Sequence, residues 1–554
     1  MAENRITGRS AFLALLKDEG ITHLFGNPGT TELPIMHALS DHPDLTYVLG
    51  LQESVVVAMA DGFSRASGQL VSCNVHVAPG LGNAMGAIYN AKFTGTPMIV
   101  TAGQQEQGHG LTEPLLYDPL VPIASPLTKW AVEVNRLEDL PRIVHRAAKV
   151  AVTPPTGPVF ISLPGDILNE EGGLELGHRT RVDTAMRPTD SALKALAERI
   201  MAAKNPVIVA GDELVRHDAL QEAADFADAV GAPAYQQTVP YGAHFLSEHP
   251  AFMGDLGRSQ KKVRATLEPY DLMIVLGADV LRMSVWDEVE AMPPNLPVLQ
   301  IGLRDWEMGK NYPTEVAVRA DPKETLAVLT PVIHAAADGA YKDAARARLS
   351  AVADRNWTAN RIKAASAAQI ESAMTPIQPN YFMQQLVDAL DDDVVVVNEG
   401  ITTAEPLLSH LAYRDRYGYF GLPSGGIGWA IAASVGIQLA QPSRPVVSVI
   451  GDGSAMYSIQ ALWSAANMKL PITYVICNNQ GYRIIKQRLK SFHDNENFIG
   501  MDFTDPEINF IGLAQSLGMT ARRVTNPADI HQAVAEGVRS GKPNLIEVMV
   551  ERSV

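Results

Sequence analysis

Residues 445–482 read PVVSVIGDGSAMYSIQALWSAANMKLPITYVICNNQGY, and this segment is the strongest indication of the chain's architecture. An apolar run, a glycine-containing turn, a helix-length segment and a second apolar run ending in a polar turn form the pattern of one βαβ unit. In a right-handed crossover the two strands are parallel and close, so Asp452 and Asn479 are expected at the same edge of the sheet. Their separation of 27 residues suits such a unit.

The residues expected at this edge have the chemistry that a metal-bound diphosphate needs. Mg²⁺ prefers oxygen ligands, and Asp452, the side-chain oxygen of Asn479 and a backbone carbonyl near Gly481 fit that preference. The glycines of GDGS, Gly453 among them, let the backbone approach closely, and Ser454 opens a helix whose free N–H groups favour a phosphate. The alternative is a pair of ordinary turns, with Ser454 as a helix N-cap.

Apolar runs recur between helix-length segments along the rest of the chain, at 45–51, 97–102, 206–210, 272–277 and 393–397. This alternation predicts an α/β protein with parallel sheets covered by helices. Two stretches interrupt the pattern, a polar one at 174–191 and an Ala-rich helical arm at 336–378. We therefore expect three domains of parallel sheets flanked by helices, over 1–180, 190–340 and 375–554.

Composition narrows the class of protein and of partner. Apolar residues make up 46% of the 554 residues, charged residues 19%, and the net charge is −16. The sequence has no eighteen-residue apolar run, so we expect no membrane partner. It has no basic stripe interleaved with aromatic residues, so we expect no nucleic-acid partner and a small-molecule substrate instead. Cys73 and Cys477 are expected to be buried thiols rather than a disulfide or zinc site. The polar first ten residues lack the apolar core of a signal peptide, which favours a cytoplasmic location.

GDGS followed by NN at this interval resembles the diphosphate and Mg²⁺ motif of thiamine diphosphate (ThDP)-dependent enzymes. The resemblance covers essentially the whole chain and implies the ThDP-enzyme fold, with pyrimidine-binding, middle and diphosphate-binding domains in that order. It also implies ThDP and Mg²⁺ as cofactors. The chain is most similar to benzoylformate decarboxylase-like 2-oxo acid decarboxylases, on the stretches FGNPGTTELP (25–34), LQES (51–54), NVHVAPGLGNAMGA (74–87), TAGQQ (101–105), NEGITT (398–403) and GDGSAMYSIQALW (451–463).

The resemblance assigns cofactor contacts to particular residues. Glu53 would lie against the pyrimidine ring and drive its tautomerisation, although a first-turn glutamate also suits a helix dipole. Ile427 would wedge between the two cofactor rings, and a carbonyl near Gly425 would accept from the 4′-amino group. A glycine-rich turn before a buried helix is the alternative explanation of that segment. The phosphate oxygens would be bound by Thr402, Ser454 and Tyr457.

The family resemblance also implies the reaction, decarboxylation of a 2-oxo acid through ylid addition and an enamine intermediate. His76 matches the family's active-site histidine and would transfer protons. Thr30 stands where the subgroup normally has a catalytic serine, so the hydroxyl is kept and a methyl group is added. Thr30 would hydrogen-bond the substrate carboxylate or an intermediate oxygen.

Two departures leave the substrate open. The stretch ADVLRMSVWDEVE (278–290) has no histidine where benzoylformate decarboxylase carries a second catalytic one, so proton delivery must differ or come from elsewhere, with His109 and His493 as candidates. In GYRIIKQRLKSF (481–492), Ile484, Lys486 and Arg488 replace small or aromatic pocket residues. This cationic helix face is either solvated surface or a site for a second carboxylate, a phosphate or coenzyme A.

Other functions remain compatible with the sequence. Acetolactate-synthase-like carboligation and 2-hydroxyacyl (CoA) C–C lyase activity use the same cofactor. A nicotinamide-dependent oxidoreductase is a remote alternative, because Gly80, Gly82 and Gly86 miss the dinucleotide-binding spacing. A flavin or nucleotide in the middle domain stays possible. Since the family binds its cofactor between the first domain of one chain and the third of another, we expect a homodimer or homotetramer.

Overall fold

The computed structural model describes residues 5–554, so the first four residues of the predicted domain 1–180 lie outside the described chain. One compact unit contains the residues up to 182 together with 396–403 and 422–554, and the other contains 183–395 and 404–421. Three parallel sheets flanked by helices confirm the predicted α/β architecture. Within residues 5–554, no helix is both long enough and apolar enough to cross a bilayer.

The first sheet has the strand order β3–β2–β4–β5–β7–β6, and a short antiparallel pair, β1–β8, lies outside it. Its paired strands are all parallel, and β4, β5 and β7 are buried along their whole length because helices cover both faces. The strands are β1 Arg5–Thr7, β2 His23–Gly26, β3 Thr46–Leu49, β4 Val71–Val75, β5 Met98–Gln104, β6 Ala131–Glu133, β7 Pro158–Pro164 and β8 Glu171–Gly173. The helices are α1 Gly8–Asp18, α2 Leu33–Ala38, α3 Glu53–Ser67, α4 Val77–Thr94, α5 Leu120–Ala124, α6 Leu140–Val152 and α7 Gly165–Asn169.

The middle sheet, in the second unit, has the strand order β11–β10–β9–β12–β13–β14, and all its pairs are parallel. Its strands are β9 Pro206–Ala210, β10 Ala234–Gln236, β11 Phe252–Asp255, β12 Leu272–Leu276, β13 Val298–Gly302 and β14 Val316–Arg319. The helices of this part are α8 Asp190–Met201, α9 Asp212–Arg216, α10 Leu220–Val230, α11 Gln260–Leu267, α12 Pro322–Ala336, α13 Gly339–Ser350, α14 Trp357–Ile370 and α15 Pro379–Asp388. The predicted helical arm at 336–378 is confirmed by α13 and α14.

In the third sheet, the strands of the first unit lie in the order β15–β17–β18–β20–β19. The strands are β15 Val395–Glu399, β16 Tyr419–Gly421 (which belongs to the second unit), β17 Val446–Gly451, β18 Ile472–Asn478, β19 Thr520–Val524 and β20 Asn544–Met549. Helix α16 Leu407–His410 belongs to the second unit, and the helices of the first unit in this part of the chain are α17 Trp429–Ala440, α18 Asp452–Ala455, α19 Ala461–Asn467, α20 Arg483–His493, α21 Phe510–Ser516 and α22 Ile530–Arg539. The predicted adjacency of the two strands in 445–482 is confirmed, since β17 and β18 pair in parallel from Val446 to Gly451.

Helices α3 and α17 pack tightly against each other and join the first and third sheets within the first unit. The packing depends on glycine, because a Cβ on Gly62 would lie 2.2 Å from the Ala433 carbonyl oxygen and one on Gly436 would lie 1.8 Å from that of Met59. The Trp429 indole N–H also donates to buried Asp61 at 2.5 Å. These contacts fix the beginning of α17, which follows the Gly425–Gly428 turn.

Candidate active site

The GDGS and NN segments lie at the carboxyl ends of two paired strands, as the sequence predicts. Gly451 at the end of β17 is level with Cys477 in β18, so Asp452 and Asn479 leave the sheet at one edge. The short helix α18 begins at Asp452 with Gly451 as its N-cap. The prediction that Ser454 opens the helix, and the alternative that it is the N-cap, are therefore both wrong by two or more residues. The chain turns into the helix at the first residue after the strand.

Asp452 and Asn479 offer oxygen atoms that a hard cation would satisfy. The Asp452 carboxylate is 3% exposed and accepts the N–H groups of Gly453 at 2.8 Å and Gly481 at 3.1 Å. Burial raises the pKa of Asp452 to about 6. The side-chain oxygen of Asn479 is buried and has no hydrogen-bond partner in residues 5–554. An orphaned buried acceptor beside a desolvated carboxylate fits a divalent cation.

The Gly481 carbonyl is the third predicted metal ligand. It accepts the Arg483 N–H at 3.0 Å, which leaves its second lone pair for a cation. Position 453 has room only for glycine, because a Cβ there would lie 2.7 Å from Cε1 of Tyr482. Tyr482 also packs edge-on against Phe503, with ring centroids 4.7 Å apart.

Glu399 connects the phosphate side of this edge to the turn before α17. Its carboxylate accepts the backbone N–H groups of Gly428 and Ala430, the latter at 2.6 Å, and it is hydrogen-bonded to the Ser454 side chain. Burial raises the pKa of Glu399 to about 7, against the lowering effect of these bonds. The motif NEGITT contains Glu399, but the sequence analysis assigned it no role.

The residues predicted to contact the rest of the cofactor differ in exposure. Tyr457 is exposed, Thr402 is half-buried and Ser454 is buried, all within the first unit. Gly425 has a φ of +80° and Gly428 a φ of +96°, so the turn that carries Ile427 uses two backbone conformations that favour glycine. Half-buried Ile427 precedes α17 by two residues, where the resemblance places it.

Glu53 begins helix α3, as the sequence predicts, and is 7% exposed. The Asn83 side-chain N–H donates to its Oε2 at 3.1 Å. Oε1 lies against Gly80, where a Cβ would approach it to 2.9 Å. The carboxylate thus occupies space that the missing side chain of Gly80 provides.

His76 is held in one orientation by a carboxylate that the sequence analysis missed. His76 is the N-cap of α4, and its Nδ1 lies 2.7 Å from Oε2 of Glu32, which is 0% exposed. Backbone N–H groups of Gly29 at 2.9 Å and Gly103 at 2.8 Å donate to the same carboxylate. Because a carboxylate only accepts, Nδ1 carries the proton and Nε2 is the atom left for chemistry.

Thr30 and Thr31 have different environments at the beginning of the short 3₁₀ turn Thr30–Glu32. Thr30, the predicted catalytic residue, is exposed. The hydroxyl of Thr31 donates to Oε1 of Glu32 at 2.8 Å and lies 3.2 Å from Nδ1 of His76. Thr31 therefore belongs to the support of His76, whereas Thr30 is exposed.

Helix α20 only partly matches the predicted cationic face. Lys486 is 7% exposed, pairs with Asp502 and lies 5.5 Å from the ring centroid of Phe498, so the interpretation of this residue as solvated surface is wrong. Arg488 is exposed beside Phe492, as a solvated side chain is expected to be, and Ile484 is half-buried. With Lys486 already paired, Arg488 is the cation of this pair that faces solvent.

The carboxyl edge of the middle sheet is filled by an ion-pair cluster. Arg304 contacts Asp212 at 2.7 Å, Glu213 at 3.3 Å and Asp279 at 3.4 Å. Burial alone would lower the pKa of Arg304, but these acidic groups outweigh burial and raise it. This edge is where open α/β sheets bind nucleotides, and here the four side chains occupy it. Both cysteines, as predicted, are buried free thiols.

Comparison with known proteins agrees with this geometry over nearly the whole chain. Three family models match: the thiamine pyrophosphate enzyme N-terminal TPP-binding domain over 6–115, the central domain over 193–329 and the C-terminal TPP-binding domain over 407–548. Benzoylformate decarboxylase from Pseudomonas aeruginosa is 31% identical over 98% of both chains. Acetolactate synthase isozyme 1 large subunit from Escherichia coli is 26% identical over 99% of this chain and 94% of its own.

A solved structure shows the same similarity in three dimensions. The ThDP-dependent 4-hydroxybenzoylformate decarboxylase of Rhodococcus jostii has a TM-score of 0.88 and 30% identity to this chain. The match covers 99% of this chain and 100% of the other.

Proposed function

The chain belongs to the thiamine pyrophosphate enzyme family, and from this premise we propose that it decarboxylates a 2-oxo acid with ThDP and Mg²⁺. Dependence on ThDP follows from the family itself. The choice of decarboxylation is supported by two full-length similarities, to a benzoylformate decarboxylase and to a 4-hydroxybenzoylformate decarboxylase.

The observation that carries the cofactor part of the proposal is the orphaned oxygen of Asn479 beside the buried carboxylate of Asp452. These two oxygens and the Gly481 carbonyl would hold Mg²⁺. The diphosphate would be held by Gly453, Ser454, Thr402 and Tyr457, and the ring portion by Gly425 and Ile427. Bound ThDP supplies a carbon nucleophile and a sink for the electrons released with CO₂.

The residues of the first sheet would handle protons and substrate. Glu53 would exchange a proton with the pyrimidine ring through Oε1, since Asn83 holds Oε2. His76 would give or take a proton at Nε2, because Glu32 fixes Nδ1. Thr30, an exposed residue, would bind the substrate carboxylate or an intermediate oxygen through its hydroxyl.

Acetolactate-synthase-like carboligation is the second candidate, favoured by the full-length similarity to acetolactate synthase isozyme 1. Lyase action on a 2-hydroxyacyl-CoA has weaker support, because Lys486, one of the two cations proposed to bind such a substrate, is paired with Asp502. Exposed Arg488 remains the substrate contact that this candidate would use.

A panel of 2-oxo acids would test the proposal. Each acid would be incubated with the protein, ThDP and Mg²⁺, and both CO₂ and coupled hydroxyketone would be measured. We expect CO₂ and the free aldehyde from at least one acid. Hydroxyketone as the main product would favour carboligation, and neither product with any acid would contradict both candidates.

We also propose that the enzyme is a homodimer or homotetramer, as the family resemblance implies. Large apolar side chains of the first unit are exposed and would be covered in such an assembly. They include Leu33, Tyr89, Leu111, Leu115 and Ile401. Light scattering of the active protein would test this, and an active monomer would contradict it.

A further inference from the structure

The turn at 424–428, which carries the proposed ring contacts Gly425 and Ile427, is held by side chains from two other elements. The first is Glu399 of β15, which accepts the N–H groups of Gly428 and Ala430. The second is Asn90 of helix α4 in the first sheet's domain. A turn with two left-handed glycines has little intrinsic preference for one geometry, so these contacts decide its shape.

Asn90 makes two side-chain hydrogen bonds to this turn, one as donor and one as acceptor. Its amide N–H donates to the Gly426 carbonyl at 2.9 Å, and its Oδ1 accepts from the Ser424 hydroxyl. The same hydroxyl accepts the Gly426 N–H at 3.1 Å. Asn90 is 4% exposed. A Cβ on Gly426 would lie 2.7 Å from its Oδ1, so the Asn90 amide packs against position 426 more closely than any residue with a Cβ would allow.

Helix α4 presents more than one such group along its length. His76 is its N-cap, Asn83 donates to Glu53, and Asn90 donates to Gly426. Asn83 and Asn90 are seven residues apart, which is about two helical turns and roughly 10 Å, with a drift of only about 20° per heptad. One face of α4 therefore carries both the partner of Glu53 and the support of the ring-contact turn, while His76, the proposed proton-transfer residue, caps the beginning of the same helix.

The surroundings make this arrangement rigid. Helix α3, which begins at Glu53, packs against α17, which follows the turn, and the Trp429–Asp61 bond closes that contact. A movement of α4 relative to the turn would break the buried Asn90 bonds. Leaving a buried amide unpaired is unfavourable, so the contact is kept in the folded chain.

We propose that Asn90 is a positioning residue for cofactor binding, which fixes the Ser424–Gly428 turn so that Gly425 and Ile427 face ThDP in one geometry. The proposal rests on the proposed function. Asn90 acts on the cofactor only through this turn, and Asn83 on the same face of α4 sets the carboxylate of Glu53 in the same way.

The test is isothermal titration of ThDP, with Mg²⁺ in excess, into the full-length protein freed of cofactor. We expect Asn90→Ala to raise the dissociation constant about tenfold, which corresponds to about 1.4 kcal/mol. Ser424→Ala, which removes one hydroxyl from the same set of bonds, should raise it about threefold. It provides a second measurement should Asn90→Ala fold poorly.

Asn544→Ala is the matched control. Asn544 is also buried, its amide donates to the Gly537 carbonyl at 3.0 Å, and a Cβ on Gly537 would lie 2.7 Å from its Oδ1. It should lower the melting temperature as Asn90→Ala does, but leave the ThDP dissociation constant unchanged. Equal dissociation constants for wild type, Asn90→Ala and Ser424→Ala would overturn the positioning role alone. Absence of ThDP binding by the wild type would overturn the proposed function with it.

Discussion

Replacing Glu32 with glutamine tests whether a buried carboxylate orients His76. The carboxylate takes four donors, the N–H groups of Gly29 and Gly103, the Thr31 hydroxyl and Nδ1 of His76. Each of its oxygens faces one backbone N–H, so the amide group of glutamine must point at a donor whichever way it turns. One buried N–H then loses its partner, and we expect the free energy of unfolding to fall by about 1–3 kcal/mol.

The effect on activity should be larger than the loss of stability explains. A neutral glutamine removes the negative charge beside the imidazole, and in one of its two orientations its own N–H group faces Nδ1 and disfavours the tautomer with Nε2 free. We expect kcat/KM for the fastest 2-oxo acid to fall roughly 100-fold, or about 2.7 kcal/mol. Steady-state CO₂ release and urea unfolding would be measured on the same preparations.

Glu19→Gln is the matched control, because Glu19 is also buried and bonded to a histidine, with Oε1 2.5 Å from Nδ1 of His145. It should lose stability and keep kcat/KM. If Glu32 acts through His76, the double variant Glu32→Gln/His76→Ala should be no slower than His76→Ala alone. A Glu32→Gln enzyme with kcat/KM within twofold of wild type would show that the Glu32 carboxylate does not orient His76 for catalysis.

Three further predictions concern the cofactor edge and the helix contact. Asn479→Leu removes an orphaned buried acceptor, so in metal-free protein the melting temperature should hold or rise while calorimetric binding of ThDP with Mg²⁺ is lost; retained binding would contradict the metal site. Burial raises the pKa of Glu399 from 4.5 to about 7, so its proton stabilises the fold at low pH and this contribution, about 3 kcal/mol, is lost as pH rises through about 7. Glu399→Gln should therefore flatten the pH dependence of urea unfolding between pH 4.5 and about 7, and an unchanged slope would count against the shift. Gly436→Ala would put a Cβ 1.8 Å from the Met59 carbonyl oxygen and should lower the free energy of unfolding in urea by roughly 2–3 kcal/mol. Gly339→Ala is the control, because a Cβ there meets open space and should leave this free energy unchanged. Equal effects of the two variants would contradict a tight contact between α3 and α17.

The fold was predictable where consecutive strands are neighbours in space. The segment 445–482 forms β17, a crossover and β18, and these two strands pair directly, so Asp452 and Asn479 could be placed at one edge from the sequence alone. Glu53 could be placed at a helix start for a similar reason, because the apolar strand before it and the helix after it are both local patterns.

The residues that support the site were not predictable in the same way. Glu32 and His76 are 44 residues apart and meet because β2 pairs with β4 as well as with β3, a strand order that no local pattern states. Glu399 reaches the N-terminus of α17 from β15 for the same reason, through long-range packing. The burial of Lys486 depends on Asp502, which comes from a loop beyond the end of α20.

Titration of ThDP into cofactor-free protein, with and without Mg²⁺, would show whether this edge of the sheet binds a metal-held diphosphate. We expect saturable binding of one ThDP per chain that requires a divalent cation, since Asp452 and Asn479 would hold the diphosphate only through the metal. No binding heat with Mg²⁺ present, or binding that is equally tight after the cation is removed, would contradict it.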